Sequence, residues 1–203
     1  MTRSPANGSP PEKIRSKPMT QTAEDHQKPP QPLTHTVPAN PIVPDSYWVT
    51  AALAAGPYPG LRDPAPAEAR IATFERSGVS LFVDLTAEGD FLEPYDHLLR
   101  TSSRVWHPIP DMGVTTPEKM VDTLDTIDTA HARGDTVYVH CWGGIGRTGS
   151  VVGCWLVRHG SSATDAIELI RRRRLELPVF QHFPKSPQTS AQERFVAAWQ
   201  AGM

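Results

Sequence analysis

Large apolar residues are thinly scattered over the first 44 positions, where Pro, Ser, Thr, Lys and Gln dominate, and from Tyr47 onward they recur with regular periods. A stretch of the first kind cannot bury enough surface to offset the entropy of ordering it. Residues 1–44 therefore read as a disordered, Pro-rich tail and residues 45–203 as the folded domain. Pro29, Pro30 and Pro32 leave a partner-binding role open beside the plainer reading of a tail.

Within the domain, Trp48 to Leu53 reads as a short strand, followed by the turn sequence Gly56-Pro57-Tyr58-Pro59-Gly60. Pro66 to Arg76 reads as a helix with Ala69, Ile71 and Phe74 inward and Gly78 just past its end. Ser80 to Leu85 is a buried strand, and Arg104 to His107 is another. Thr115 and Glu118 have capping-box spacing around Pro117, ahead of an apolar stripe of Met120, Val121, Leu124 and Ile127 that Gly134 closes. Thr136 to His140 is a short β-branched strand. A glycine-rich turn leads to an apolar helix, Val151 to Val157, ending near Gly160. Ser162 caps a further helix, with Asp165 in its first turn and Ile167 and Ile170 inward. A loop with Pro178, Pro184 and Pro187 precedes a last helix carrying Phe195, Val196 and Trp199. Strands alternating with helices predict an α/β layer fold, a central mostly parallel sheet flanked by helices.

Charge is nearly balanced, 20 Lys plus Arg against 22 Asp plus Glu, for a net charge of -2. That gives no reason to expect nucleic acid or an anionic membrane as a partner. Cys141 and Cys154 are the two cysteines of the chain, too few for a disulfide framework, so a reducing compartment fits. The N-terminus lacks the apolar run of a signal peptide, and no stretch is long and apolar enough to span a membrane. A cytoplasmic protein is the expectation. Oligomeric state has no signal in the sequence.

The chemistry lies in Val139-His140-Cys141-Trp142-Gly143-Gly144-Ile145-Gly146-Arg147-Thr148-Gly149, which passes from a buried strand through a loop into a helix. Glycines let the backbone curl with its N–H groups inward, and the helix beginning near Gly146 adds unpaired donors and a positive dipole end. The result is a concave site for a tetrahedral dianion, formed by Trp142, Gly143, Gly144, Ile145, Gly146 and the planar fork of Arg147. Cys141 stands at its mouth, where the same donors favour the thiolate, a strong nucleophile. Thr148 is placed to donate its hydroxyl to the sulfur, and His140 to orient the loop from beneath.

This string resembles the HCxxGxxR-[ST] signature of the protein tyrosine phosphatase superfamily. Two further segments strengthen the resemblance. His107-Pro108-Ile109-Pro110-Asp111-Met112-Gly113 is similar to the general-acid loop of dual-specificity phosphatases, which implies Asp111 as the acid that protonates the leaving oxygen. Gln188-Thr189-Ser190-Ala191-Gln192-Glu193-Arg194-Phe195 resembles the QTxxQxxF loop, which implies that Gln188 and Gln192 position the attacking water. Together with Asp84-Leu85-Thr86 and the Glu88-to-Tyr95 loop, these segments come in the order of the kinase-associated dual-specificity phosphatases, over roughly residues 47–200, and look closest to bacterial single-domain relatives.

The resemblance implies a cysteine-phosphatase fold without metal or cofactor. It also implies hydrolysis of phosphotyrosine, and of phosphoserine or phosphothreonine, on a phosphoprotein or a small phosphomonoester, through a phosphocysteine. The loop carries no lysine, which argues against polyphosphorylated lipids, and the tyrosine-selecting segment Lys-Asn-Arg-Tyr is absent. An inositol phosphate phosphatase, a non-catalytic phosphate-binding module and a rhodanese-type sulfur transferase are the alternatives. Thr148 and the glutamine loop weigh against the last. Asp84 and Glu88 read as polar groups capping a sheet end or facing substrate, Glu93-Pro94-Tyr95 as a pocket rim or a turn, Cys154 as core with a regulatory disulfide to Cys141 as the alternative, and Arg171 to Arg174 as a solvated helix end or a patch for acidic substrates.

Overall fold

The computed structural model describes Met1 and residues 36–61, 64–183 and 185–203. Most of the expected tail, including Pro29, Pro30 and Pro32, lies outside the described residues, as does Pro184. The last part of that tail packs against the domain. Val43 is buried, its N–H donates to Ser46 Oγ at 3.0 Å, and Trp48 Nε1 donates to Asn40 O at 3.1 Å.

Five strands form one sheet: β1 (Tyr47–Trp48), β2 (Leu53–Gly56), β3 (Val79–Asp84), β4 (Ser103–Trp106) and β5 (Thr136–His140), in the order β1-β2-β5-β3-β4. β1 runs antiparallel to β2, and every other pairing is parallel. The one strand expected from Trp48 to Leu53 is instead a hairpin. Thr50 turns the chain: its Oγ1 accepts from Ala52 N at 3.3 Å and Leu53 N at 3.0 Å, and a hydroxyl that bonds backbone two or three residues on makes a turn of an apolar run.

The helices are α1 (Pro64–Arg76), α2 (Pro117–Ala132), α3 (Gly146–Arg158), α4 (Ala163–Leu175) and α5 (Ser190–Ala198). α1 buries Ala67, Ile71 and Phe74, spaced four and three apart, while Ala69 is exposed. α2 is capped by Thr116 rather than Thr115. Thr116 Oγ1 accepts from Lys119 N, because Pro117 takes the first helical position and puts the cap one residue before itself. α3 begins at Gly146, as the glycine-rich turn implied, and every residue from Gly146 to Val157 is buried, so it is a core helix. Ser162 caps α4, accepting from Asp165 N at 3.1 Å.

Side chains alternate between the two faces of the sheet with a period of two. Leu53, Ala55, Leu81, Val83, Val137 and Val139 join the core under α2 to α5, whereas Ala54, Phe82 and Tyr138 face α1 with Ile71 and Phe74. In the ladder His140 is paired with Gly56 on one side and Asp84 on the other. The carboxyl ends of β2, β5 and β3 therefore lie level, and the loop after β5 emerges between them, where open α/β sheets place their sites.

Gly144 shows how closely that loop is seated. Its φ is +65°, and a Cβ there would lie 2.3 Å from Gly56 C. Gly144→Ala is expected to lower unfolding free energy by about 3 kcal/mol, measured by urea titration, because strain and backbone overlap act together; an unchanged midpoint would contradict this seating.

Candidate active site

The turn after Cys141 is fixed from several sides. Tyr58 N donates to Trp142 O at 2.9 Å, and Ser186 Oγ donates to Ile145 O at 2.7 Å. Gly146 lies against the Gln192 amide and Gly149 against Ser186, at distances that leave no room for side chains. Ile145, at the N-cap of α3, offers no side-chain acceptor to the first-turn amides, which stay available to an anion. The loop borders a cavity of about 290 Å³ lined by Asp111, Met112, Cys141, Trp142, Gly143, Ile145, Gly146, Arg147 and Gln188. A larger groove of about 490 Å³ runs between α4 and α5 beside Ile167, Arg171 and Glu193, and holds none of the predicted site residues.

Arg147 is only 2% exposed and reaches three residues in two loops. Its fork is bidentate to Asp90, Nη1 to Oδ2 at 2.5 Å and Nη2 to Oδ1 at 3.1 Å. Nη1 also donates to Ile109 O at 3.2 Å, and Nη2 pairs with Asp111 Oδ1 at 3.0 Å. Burial alone would favour losing the proton, but the Asp90 hydrogen bond and the charges of Cys141, Asp90 and Asp111 raise the guanidinium above its ordinary range. Asp90 escaped the sequence reading. Its signal was an acidic residue in a loop already singled out, and the structure adds that Asp90 Oδ2 accepts from Ala87 N at 2.8 Å, so its own loop fixes it.

A polar network lies beneath. His140, fully buried, shares a 2.6 Å hydrogen bond between Nε2 and the Tyr95 hydroxyl. Asp84 accepts from Thr86 N at 2.8 Å, Thr86 Oγ1 at 2.7 Å and Arg104 Nη1 at 2.8 Å, which makes it the sheet-end cap read from the sequence. Glu88 is exposed, and the Tyr58 hydroxyl donates to Glu93 O. Tyr95 is not a rim residue: it is 1% exposed, because its ring packs against Phe82 and its hydroxyl is taken by His140. Cys154 lies in the core, where burial pushes its thiol up.

Several expected roles look different in place. Thr148 Oγ1 is buried in the first turn of α3 and has no hydrogen-bond partner among the described residues, the sulfur included. Gln192 is committed to bracing: Oε1 accepts from Gln188 N at 3.1 Å and Thr189 N at 3.0 Å, and Nε2 donates to Gly113 O at 2.9 Å. It thereby ties the start of α5 to the Asp111 loop, while Gln188 borders the cavity. Trp142 is 59% exposed at the mouth. The arginine run is not uniformly solvated. Arg171 pairs with Glu193 and Arg173 with Glu176, but Arg174 is wholly buried.

A five-stranded, mostly parallel sheet with a cysteine, an arginine and an aspartate meeting at its carboxyl end defines the class of the cysteine phosphatases. The chain belongs to the family described as Swiss Army Knife protein, DSP-PTPase phosphatase domain, whose model matches residues 53–196. It is 31% identical over 136 residues to dual specificity protein phosphatase 1B of Arabidopsis thaliana, covering 55% of this chain and 81% of that one. An uncharacterized protein of Methanocaldococcus jannaschii is 36% identical over 89 residues, 44% of this chain, which spans about half (50%) of that relative. Among solved structures it shares the fold of Tk-PTP in its active form, with a TM-score of 0.63 and 24% identity over 75% of this chain and 94% of the other. Kinase-associated phosphatase with its catalytic cysteine substituted by serine gives a TM-score of 0.62 and 18% identity over 78% and 94%.

Burial lowers His140 from 6.5 to about 4, outweighing the nearby Asp84 carboxylate. The folded protein therefore binds fewer protons than the unfolded chain between those values. The stability this contributes is complete above pH 6.5 and is lost as the pH falls to 4, on the order of 3 kcal/mol. Urea titrations across that window should show His140→Asn losing less stability toward acid than the wild type; parallel curves would show that the imidazole is not held neutral.

Proposed function

We propose that this chain hydrolyses phosphate monoesters of phosphotyrosine, and of phosphoserine or phosphothreonine, in proteins through a phosphocysteine. The observation that carries the reading is the convergence of Cys141, Arg147 and Asp111 on one cavity, with Asp111 already paired to the arginine at 3.0 Å. An arriving dianion competes with Asp111 for Nη2. Asp90 keeps the guanidinium aimed, the phosphoryl oxygens take the vacated donor and the loop amides, and Asp111 is left free to carry a proton.

The Cys141 thiolate attacks phosphorus as the bond to the leaving oxygen breaks, and Asp111 gives that oxygen its proton. Water then attacks the phosphocysteine with Asp111 accepting its proton, the sulfur–phosphorus bond breaks, and inorganic phosphate leaves with the thiolate restored. Gln188, on the cavity wall, is assigned to that water, and Gln192 acts through the acid loop it braces. Thr148 is assigned to the departing sulfur. The catalytic unit is the part of the chain from residue 45 onward. A loop without lysine supports a monoester over an inositol polyphosphate, and two free cysteines support a reducing, cytoplasmic setting.

Aryl phosphate hydrolysis should continue in excess chelator. Cys141→Ser should remove turnover and retain phosphopeptide binding. Asp111→Ala should slow phenyl phosphate by about 10²- to 10³-fold and p-nitrophenyl phosphate much less, since the better leaving group needs no proton. Equal slowing of both would remove Asp111 from the acid role, and turnover by Cys141→Ser would end the proposal. A phosphopeptide panel ranks the three phosphoamino acids.

A further inference from the structure

Two carbonyls of the loop after Cys141 are held from outside, and this bears on where its amides point. In a trans peptide the C=O and the N–H point in opposite directions, so holding the carbonyl on one side turns the N–H to the other. Trp142 O accepts from Tyr58 N at 2.9 Å, and Ile145 O accepts from Ser186 Oγ at 2.7 Å. Both peptides are trans, and their N–H groups belong to Gly143 and Gly146. Both glycines line the cavity of about 290 Å³, whereas Tyr58 and Ser186 lie outside its lining.

The two clamps differ in chemistry. Tyr58 uses its main chain, which every residue but proline supplies. Ser186 uses its side chain, so the direction of the Gly146 peptide depends on one hydroxyl. Ile145 O also accepts from Gly149 N in the first turn of α3, but at 3.2 Å, the long end of the normal range, against 2.7 Å from Ser186. The surroundings keep that hydroxyl in place. Ser186 is wholly buried. A Cβ at Gly149 would lie 2.4 Å from Ser186 Oγ, so a glycine, disfavoured inside a helix, stands where the hydroxyl needs room. The segment that leads to Ser186 is anchored by Arg174, whose Nη1 donates to Phe183 O at 3.1 Å and whose guanidinium lies 4.3 Å from the Phe180 ring centroid.

We propose that Ser186 is a positioning residue that aims the Gly146 amide at the substrate phosphate by holding the Ile145 carbonyl away from the cavity. This rests on the reading of the loop as a phosphate cradle. The alternative is that the hydroxyl only packs the loop against the segment before α5, in which case its loss loosens every loop amide alike.

An NMR titration of isotope-labelled protein with inorganic phosphate, followed at the amides of Gly143 and Gly146, separates the two without turnover. Both wild-type resonances should shift as phosphate binds. In Ser186→Ala the Gly146 shift should largely disappear, while the Gly143 shift remains because Tyr58 N still holds Trp142 O. Phosphate should bind that variant about tenfold more weakly, the effect of misaiming one charge-assisted hydrogen bond. Its unfolding midpoint should stay close to that of the wild type, because Ile145 O keeps Gly149 N. Ser186→Cys, which keeps the volume and weakens the donor, carries the same reading if the alanine variant does not fold. A Gly146 shift and an affinity equal to those of the wild type, or equal losses at Gly143 and Gly146, overturn the proposal. A wild type in which neither amide responds to phosphate overturns it together with the reading of the loop as a cradle.

Discussion

A guanidinium almost wholly removed from water is the constraint around which this site is organised. Arg147 keeps its charge because Asp90 meets its fork with two hydrogen bonds and Asp111 adds a third carboxylate contact. The partners come from two connections, Asp90 from the loop after β3 and Asp111 and Ile109 from the segment after β4, while Arg147 stands in the first turn of α3. Satisfying one buried charge thus draws both connections onto the carboxyl edge of the sheet. Removing one partner from such a cluster leaves charge without compensation, which is why it holds its geometry.

The layer beneath has the opposite electrostatic character. His140 is kept neutral by burial and bonded to the Tyr95 hydroxyl, while Asp84 and Arg104 neutralise one another beside it. An imidazolium directly under the loop would compete with Arg147 for an anion. Its neutral form supplies rigidity without adding a charge beneath the loop.

What the sequence made legible follows from how local each requirement is. The strand Thr136–His140 was read with its exact bounds because β-branched residues and the glycines after them act over a few positions. The loop between Cys141 and Arg147 was readable because a backbone seated this tightly requires glycines at set spacing. The β1–β2 hairpin was not, since one hydroxyl at Thr50 decides it and an apolar run reads equally well as a single strand. Asp90 and Arg174 were missed for a tertiary reason. An aspartate in a loop and a fourth arginine on a helix look like solvated charges, and only the packing of separate elements shows that one clamps Arg147 and the other is sealed beside Phe180. The motif around Gln192 did not show that both ends of its amide are taken, by Thr189 and by Gly113.

The contest for Arg147 also bears on which phosphate the site favours. Before substrate arrives, Nη2 is held by Asp111 and the loop offers no second cation. On the proposed reading, a monoester dianion would displace one carboxylate and be matched by one guanidinium and a ring of amides. On the same reading, a polyphosphate would bring further charge to a cavity whose lining offers the Asp111 carboxylate and no lysine. Because like charges in a partly enclosed site are screened far less than in water, each additional phosphate raises the cost of entry. On the proposed reading, the same carboxylates that keep a buried arginine charged would bias the cavity toward a singly phosphorylated group, and that bias would lie in the clamp itself.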